Sequence, residues 1–156
     1  GELSNFASQY ADTLYKTCTN PIIICDRDSV IAFAGVPKKE CAEKKVSSDI
    51  EAIMESRRVF CHVPGEKERY MMDGNEKIAL SCAMPILAEG DVIGAVATIL
   101  KEDEPKAPDD VEIKLIQTAA AFLREFSIST TLVLRERLAY NEVGQNAAEH
   151  RSRGRR

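Results

Sequence analysis

Apolar and polar positions alternate in two rhythms along this chain, and the change of rhythm marks its elements. Over residues 3–18, Leu3, Ala7, Tyr10 and Leu14 recur at steps of four, three and four, with Phe6 and Ala11 beside them. That spacing predicts a helix with a heptad-like seam. Asn20-Pro21 ends it, because the residue before a proline leaves helical space. Pro21 to Cys25 is wholly apolar, Asp26-Arg27-Asp28-Ser29 is polar, and Val30 to Ala34 is apolar again, which predicts a hairpin closed by Gly35. Its two acids are expected to hold the turn by side-chain to backbone hydrogen bonds. A polar helical or irregular stretch begins at Pro37, and Ser47-Ser48-Asp49 offers an N-cap to a short helix through Ile50, Ile53 and Met54.

Val59 to Val63 reads as a third strand, ended by Pro64-Gly65. Glu66 to Lys77 is a charged loop with Tyr70, Met71 and Met72 embedded in it. Ile78 to Met84 is a further strand running into a hairpin, whose arms flank Glu89-Gly90-Asp91. The second arm, Val92 to Leu100, is almost wholly apolar, so it belongs in the middle of a sheet; Gly94 within it marks a bulge or a close backbone approach. An acidic linker, Lys101 to Pro108, leads to Asp109-Asp110, the cap of a last helix reaching about Phe126. There Val111, Leu115, Ala119, Phe122 and Phe126 again step by four, four, three and four.

This order predicts an α+β fold: one antiparallel sheet of five to six strands, with the N- and C-terminal helices packed on one face. The heptad-like seams leave apolar surface for a second copy, so a homodimer or higher homo-oligomer is expected, with Phe6, Tyr10, Leu14, Phe122 and Phe126 at the interface.

Composition narrows the function. The chain of 156 residues is expected to hold one domain, residues 1–130, and a basic tail, residues 131–156, that is disordered or vector-derived. A leading Gly1 without Met suggests a cleaved tag or an excised fragment. The formal net charge is −4; the tail contributes +3 and residues 1–130 contribute −7. An acidic body argues against direct nucleic-acid binding, which needs a basic footprint. No apolar run approaches the roughly 18 residues that span a bilayer, so no membrane association is expected. Five cysteines without a CxxC pair, several in apolar runs, suit reduced thiols in the cytoplasm. Cys25 and Cys82 are expected to be buried, reduced and unreactive. With two histidines and no paired ligand spacing, neither a metal nor a cofactor is implied. No catalytic residue stands out either. Cys61 and His62 are neighbours, so on a strand they point to opposite faces, and Cys41, Cys61 and Cys82 offer no close pair at the level of sequence.

The chain also resembles the GAF domains, a PAS-related fold. More narrowly, it is similar to the C-terminal GAF domain of the stage V sporulation protein T family of transcription regulators in spore-forming bacteria. The residues concerned are Tyr10-Ala11-Asp12 and Leu14-Tyr15, Ile24-Cys25-Asp26-Arg27-Asp28, Ile31-Ala32, Gly35 and Lys38-Lys39. Pro85-Ile86, Gly90-Asp91-Val92-Ile93-Gly94-Ala95-Val96, Thr118-Ala119-Ala120 and Phe122-Leu123 complete the match, which runs from about residue 3 to 127. The family's swapped-hairpin DNA-binding domain has no counterpart here, and neither do residues 131–156 in the family. The resemblance therefore implies a regulatory sensor domain that meets DNA only through an absent upstream domain.

GAF domains use a cavity between the sheet and the segment crossing it, here Pro37 to Arg58, with the Glu66–Lys77 loop as a lid. The resemblance makes Met54, Arg58, Phe60, His62, Tyr70, Met72, Cys82 and Met84 candidates to line a site for a small-molecule effector of unknown identity. Three readings follow: a ligand-sensing regulatory domain, a purely structural dimerisation module, and, further off, a thiol-based redox enzyme.

Overall fold

The computed structural model describes residues 2–101, 103 and 106–154. The chain runs α1 (Glu2–Cys18), β1 (Ile22–Asp26), β2 (Val30–Ala34), α2 (Lys38–Cys41), α3 (Ser48–Ser56), β3 (Phe60–Cys61), β4 (Leu80–Ala88), β5 (Asp91–Ile99) and α4 (Asp110–Gly154). The five strands form one antiparallel sheet in the order β2-β1-β5-β4-β3. The apolar arm β5 thus sits at the centre, paired on both sides, as its composition requires.

The sheet has five strands because Ile78–Met84 and Pro85–Ala88, read separately in the sequence, form the single strand β4. Pro85 is tolerated inside it because β3 reaches only Cys82 and Ala83, leaving the far edge of β4 at Pro85 without a strand partner. The β4–β5 turn is two residues, Glu89 and Gly90, both at positive φ, 53° and 85°. That is the turn whose twist matches the flanking strands. Gly94 is a close approach: a Cβ there would overlap the Cys25 carbonyl oxygen of β1.

Two cores lie on opposite faces of the sheet. On one, Ala7, Ala11 and Leu14 of α1 and Ile116, Ala119, Ala120 and Leu123 of α4 pack on Ile22, Ile24, Cys82, Ile86 and Val96. Both end helices therefore share a face. On the other, Ile50, Ile53 and Met54 of α3, with Met71 and Met72, cover Ile23, Cys25, Leu80, Ala95 and Ala97. Of the two acids expected to hold the β1–β2 turn, Asp26 does so with its side chain, which accepts from the N–H groups of Asp28 and Ser29, each at 2.8 Å; Asp28 contributes its backbone N–H.

Helix α4 differs from expectation in length. The sequence reading ends it near Phe126, whereas it continues to Gly154. No proline follows Pro108, and residues 132–139 are mostly strong helix formers, so nothing local stops it. Most side chains of the expected tail, residues 131–156, including Leu132 and Leu134, lie outside the described residues, as do three positions of the 101–108 linker interior and ends of the chain.

Candidate functional site

Helix α3 is held where the Tyr70–Met72 segment crosses it. Ser47 caps the helix, its hydroxyl accepting from the Ile50 N–H at 3.0 Å and donating to the Tyr70 carbonyl at 2.7 Å. The Asp49 carboxylate accepts from the Tyr70 N–H at 3.0 Å, and the Ser47 N–H donates to the Met71 carbonyl at 3.0 Å. These bonds press Met71 and Met72 into the core, where both are buried. The loop expected as a lid is thus partly a plug: its apolar centre fills the space between α3 and the sheet.

Open clefts border this face among the described residues. One, of about 530 Å³, is lined by Asp49, Phe60, His62, Val63, Glu66, Lys67, Glu68 and Arg69. The Arg69 guanidinium lies 5.2 Å from the centre of the Phe60 ring, within cation–π range. Another, of about 730 Å³, is lined by Arg27, Asp28, Glu51, Met54, Glu55, Arg57, Asp91 and Val92. Each holds both signs of charge around a small apolar floor.

The eight expected lining residues do not meet in one place. Phe60 and His62 share the smaller cleft, and Met54 borders the larger. Met72 is buried core, Arg58 is exposed, and half-buried Tyr70 is tied to Asp49 through its backbone. Cys82 and Met84 lie on the opposite face, against α1 and α4, because a bulge between Leu80 and Cys82 shifts the alternation of β4. A site on the α3 face therefore excludes those two.

Cys82 belongs instead to a polar cluster that the sequence reading missed. Glu112, in the first turn of α4, accepts at Oε2 from the Ser81 hydroxyl at 2.6 Å, the Thr98 hydroxyl at 2.8 Å and the Cys82 thiol at 3.4 Å. Asp109 caps α4 by accepting from the Glu112 N–H at 2.8 Å. Two signals were present: Ser81 and Thr98 interrupt otherwise apolar strands, and Glu112 stands three residues after the cap, the spacing of a capping box. Its carboxylate turns to the sheet rather than back to the helix end. Burial pushes the Cys82 thiol pKa upward, and the contact with the Thr98 hydroxyl opposes this only in part.

The residues expected at the seam divide between the surface and the protomer core. Phe6 stacks on Phe126 with centroids 3.9 Å apart and rings 8° from parallel. Phe6 also meets Tyr10 and Phe122, and Tyr10 meets Phe122 at 5.1 Å. These four form one aromatic cluster across α1 and α4, with Phe122 50% exposed. Leu14 does not join it; at 5% exposure it is part of the protomer's own core. The core stripe of α4 runs through Ile116, Ala119, Ala120 and Leu123, one position round from the seam predicted through Leu115 and Phe122.

Among the described residues, no helix is long and apolar enough to cross a membrane, and no group of three or more His, Cys, Asp or Glu side chains could hold a metal ion.

Comparison with known proteins fits this geometry. The GAF domain/HD domain protein from Geobacter sulfurreducens superposes with a TM-score of 0.64 at 17% identity, over 83% of this chain and 94% of that chain. A type II free methionine-R-sulfoxide reductase from Thermoplasma acidophilum superposes at 0.54 and 12% identity, over 79% of this chain and 93% of that one. At such identities the likeness is one of fold, the GAF fold, and the reductase's chemistry does not transfer with it. Sequence reaches further. Stage V sporulation protein T of Bacillus subtilis (strain 168) is 35% identical over 122 residues, covering 78% of this chain and 67% of that protein. The family model described as stage V sporulation protein T C-terminal, transcription factor, matches residues 2–125. The chain belongs to the stage V sporulation protein T C-terminal family of transcription factors.

Proposed function

We propose that this chain is the regulatory sensor domain of a cytoplasmic sporulation regulator: it pairs with a second copy through α1 and α4, takes a small-molecule effector on the α3 face, and meets DNA only through a domain upstream of α1. The observation behind this reading is the aromatic cluster of Phe6, Tyr10, Phe122 and Phe126. A protomer serving only its own sheet needs one apolar stripe per helix, which Ala7, Ala11, Leu14 and Ile116, Ala119, Ala120, Leu123 already provide. The aromatic rings form a second stripe on the same helix pair, and a half-exposed phenylalanine at its centre is the form an interface takes before its partner arrives.

For the effector, the cleft of Phe60, His62, Lys67 and Arg69, faced by Asp49, Glu66 and Glu68, suits a small molecule bearing both charges. It adjoins the Ser47–Tyr70 clamp, so an occupant there acts on the position of α3. An effector alters the regulator only in so far as it binds one arrangement better than another.

A second reading, a dimerisation module with no ligand, draws on Met71 and Met72, which already fill the space beneath the crossing segment. Two measurements separate the readings. Molar mass by light scattering is expected to give a dimer for the wild type and a monomer for Phe122→Glu; a monomeric wild type at micromolar concentration ends the seam proposal. Thermal shifts with free amino acids and dicarboxylates are expected to find a ligand that is lost in Phe60→Ala and Arg69→Ala with the dimer intact. A dimer that no member of that panel stabilises leaves the structural module as the better account.

A further inference from the structure

Strand β3 is the edge of the sheet, and its register on β4 sets Phe60 opposite Ala83 and Cys61 opposite Cys82. The His62 N–H donates to the Ser81 carbonyl at 2.8 Å, so the flanking pair is hydrogen-bonded and Cys61 faces Cys82 in a non-hydrogen-bonded pair. In such a pair the Cα atoms lie about 4.5 Å apart and both side chains leave the same face. That separation falls within the roughly 4.4–6.8 Å that a disulfide spans. Both side chains belong to the core beneath α1 and α4, Cys82 buried within it and Cys61 packed against it. Both are free thiols in this structure.

We propose that Cys61 and Cys82 are a redox-modification site that closes reversibly into a cross-strand disulfide on exposure to a low-molecular-weight disulfide. Half-buried Cys61, on the edge strand, is the sulfur that reagent reaches first. Its thiolate attacks one sulfur of the reagent and releases one reagent thiolate, leaving a mixed disulfide on Cys61. Cys82 then attacks the Cys61 sulfur, its proton passing to Glu112 Oε2, to which its thiol already points at 3.4 Å. The Cys61–Cys82 bond forms, and the second reagent thiolate leaves. Two protein thiols are oxidised and one reagent disulfide is reduced to two thiols; the Cys61 and Cys82 protons pass to solvent, and the two reagent thiolates take up two protons from it. Glu112 also borders a cleft of about 240 Å³ open to solvent beside Ser81 and Lys101, through which the proton it receives returns to water. Burial, with the Glu112 charge adding to it, raises the Cys61 pKa, so the exchange is slow and incubation runs for hours.

The other cysteines offer no competing cross-strand pair: Cys25 and Cys41 are buried on the α3 side of the sheet, and Cys18, half-buried at the end of α1, takes at most a separate reagent adduct, which the peptide map distinguishes from the Cys61–Cys82 link. Disulfide formation removes one of the three donors to Glu112, and so touches the anchor of α4. A regulatory effect of that change rests on the function proposed above; the disulfide itself does not.

The test uses the wild-type chain, incubated natively with oxidised glutathione, alkylated and mapped by mass spectrometry. The expected result is a peptide pair joining Cys61 to Cys82, the loss of alkylation at those two of the five thiols, an unchanged far-ultraviolet circular dichroism spectrum, and full reversal by dithiothreitol. Cys82→Ser is expected to stop at a glutathione adduct on Cys61, and Cys61→Ser to give neither an adduct on Cys82 nor a link. Five alkylatable thiols after incubation, a wild type that accumulates the Cys61 adduct, or a link between other cysteines overturns the proposal. The wild-type map decides the matter even if a variant fails to fold.

Discussion

The Thr98 hydroxyl, near the C-terminal end of β5, donates to Glu112 Oε2 in the first turn of α4 at 2.8 Å. One carboxylate thus fastens the long helix to the central strand, and it does so while also accepting from Ser81 on β4. Removing it leaves two hydroxyls in buried residues without their acceptor. Glu112→Ala is expected to lower stability by about 1–3 kcal/mol, read as a lower urea midpoint with an unchanged m-value. Glu112→Gln, which keeps one acceptor oxygen, is expected to lose less; equal losses would show that the helix cap rather than the hydroxyl acceptor matters.

Gly94 and Gly90 differ in what surrounds them, although both punctuate the same hairpin. A Cβ at Gly94 meets the Cys25 carbonyl, which is backbone and cannot step aside. At Gly90 the space is open and only the positive φ of 85° resists a side chain. Gly90→Ala is expected to cost about 1 kcal/mol, whereas Gly94→Ala should be the more damaging of the two and force β1 away from β5. Chemical denaturation of both variants side by side checks the order; a harmless Gly94→Ala would contradict the β1–β5 register.

Leu14 and Phe122 were grouped in one seam by spacing, and the structure separates their roles. Leu14→Ala opens a hole in the protomer core and is expected to cost about 2–5 kcal/mol, with little change in self-association. Phe122→Ala, at a half-exposed position, is expected to do the reverse. Denaturation midpoints and molar masses of the two variants, measured together, check the division.

Ser47 holds both ends of a clamp. Ser47→Ala deprives α3 of its cap at a cost of about 1 kcal/mol and removes the donor to the Tyr70 carbonyl. The Glu66–Lys77 segment is then expected to exchange its amide hydrogens faster, the Met71 amide above all, and to be cut sooner by protease. Unchanged protection at Met71 would mean that Asp49 alone secures the segment.

Alkali should weaken the fold through its buried thiols. Burial pushes Cys25 from the ordinary 9.0 up to about 12 and Cys41 up to about 11. The folded state therefore holds these protons more tightly than the unfolded chain. Their contribution to stability is fully present below pH 9.0 and falls as the pH rises from 9.0 toward about 12. Cys25→Ala is expected to flatten the decline of melting temperature between pH 9.0 and the upper limit of measurement, relative to wild type. Parallel slopes for the two proteins would assign the decline to other groups.

What the sequence determined by itself was local or one-dimensional. A run such as Val92–Ile99, apolar on both faces, can be stable only between two other strands, and β5 is the central strand. Asp26 followed by a polar turn, Ser47 before Ile50, and Glu89-Gly90 between β-forming arms each specify their geometry through bonds to near neighbours. Family membership was legible for the same reason, because it rests on such residues in order. What only the tertiary structure decided depends on register and on which side of an element faces inward. Spacing at three and four steps does not say which of two adjacent stripes meets the sheet, so it does not reveal that Leu14 is buried in the protomer while Phe122 is half exposed. A one-residue shift at the Leu80–Cys82 bulge turns Cys82 and Met84 to the helical face and takes them out of the α3 site. The same register brings Cys61 opposite Cys82 across 20 residues of intervening chain, and gathers Ser81, Thr98 and Glu112 from three elements onto one carboxylate. No periodicity within a single element encodes a meeting of that kind; it follows from how strands pair and where a helix begins against them.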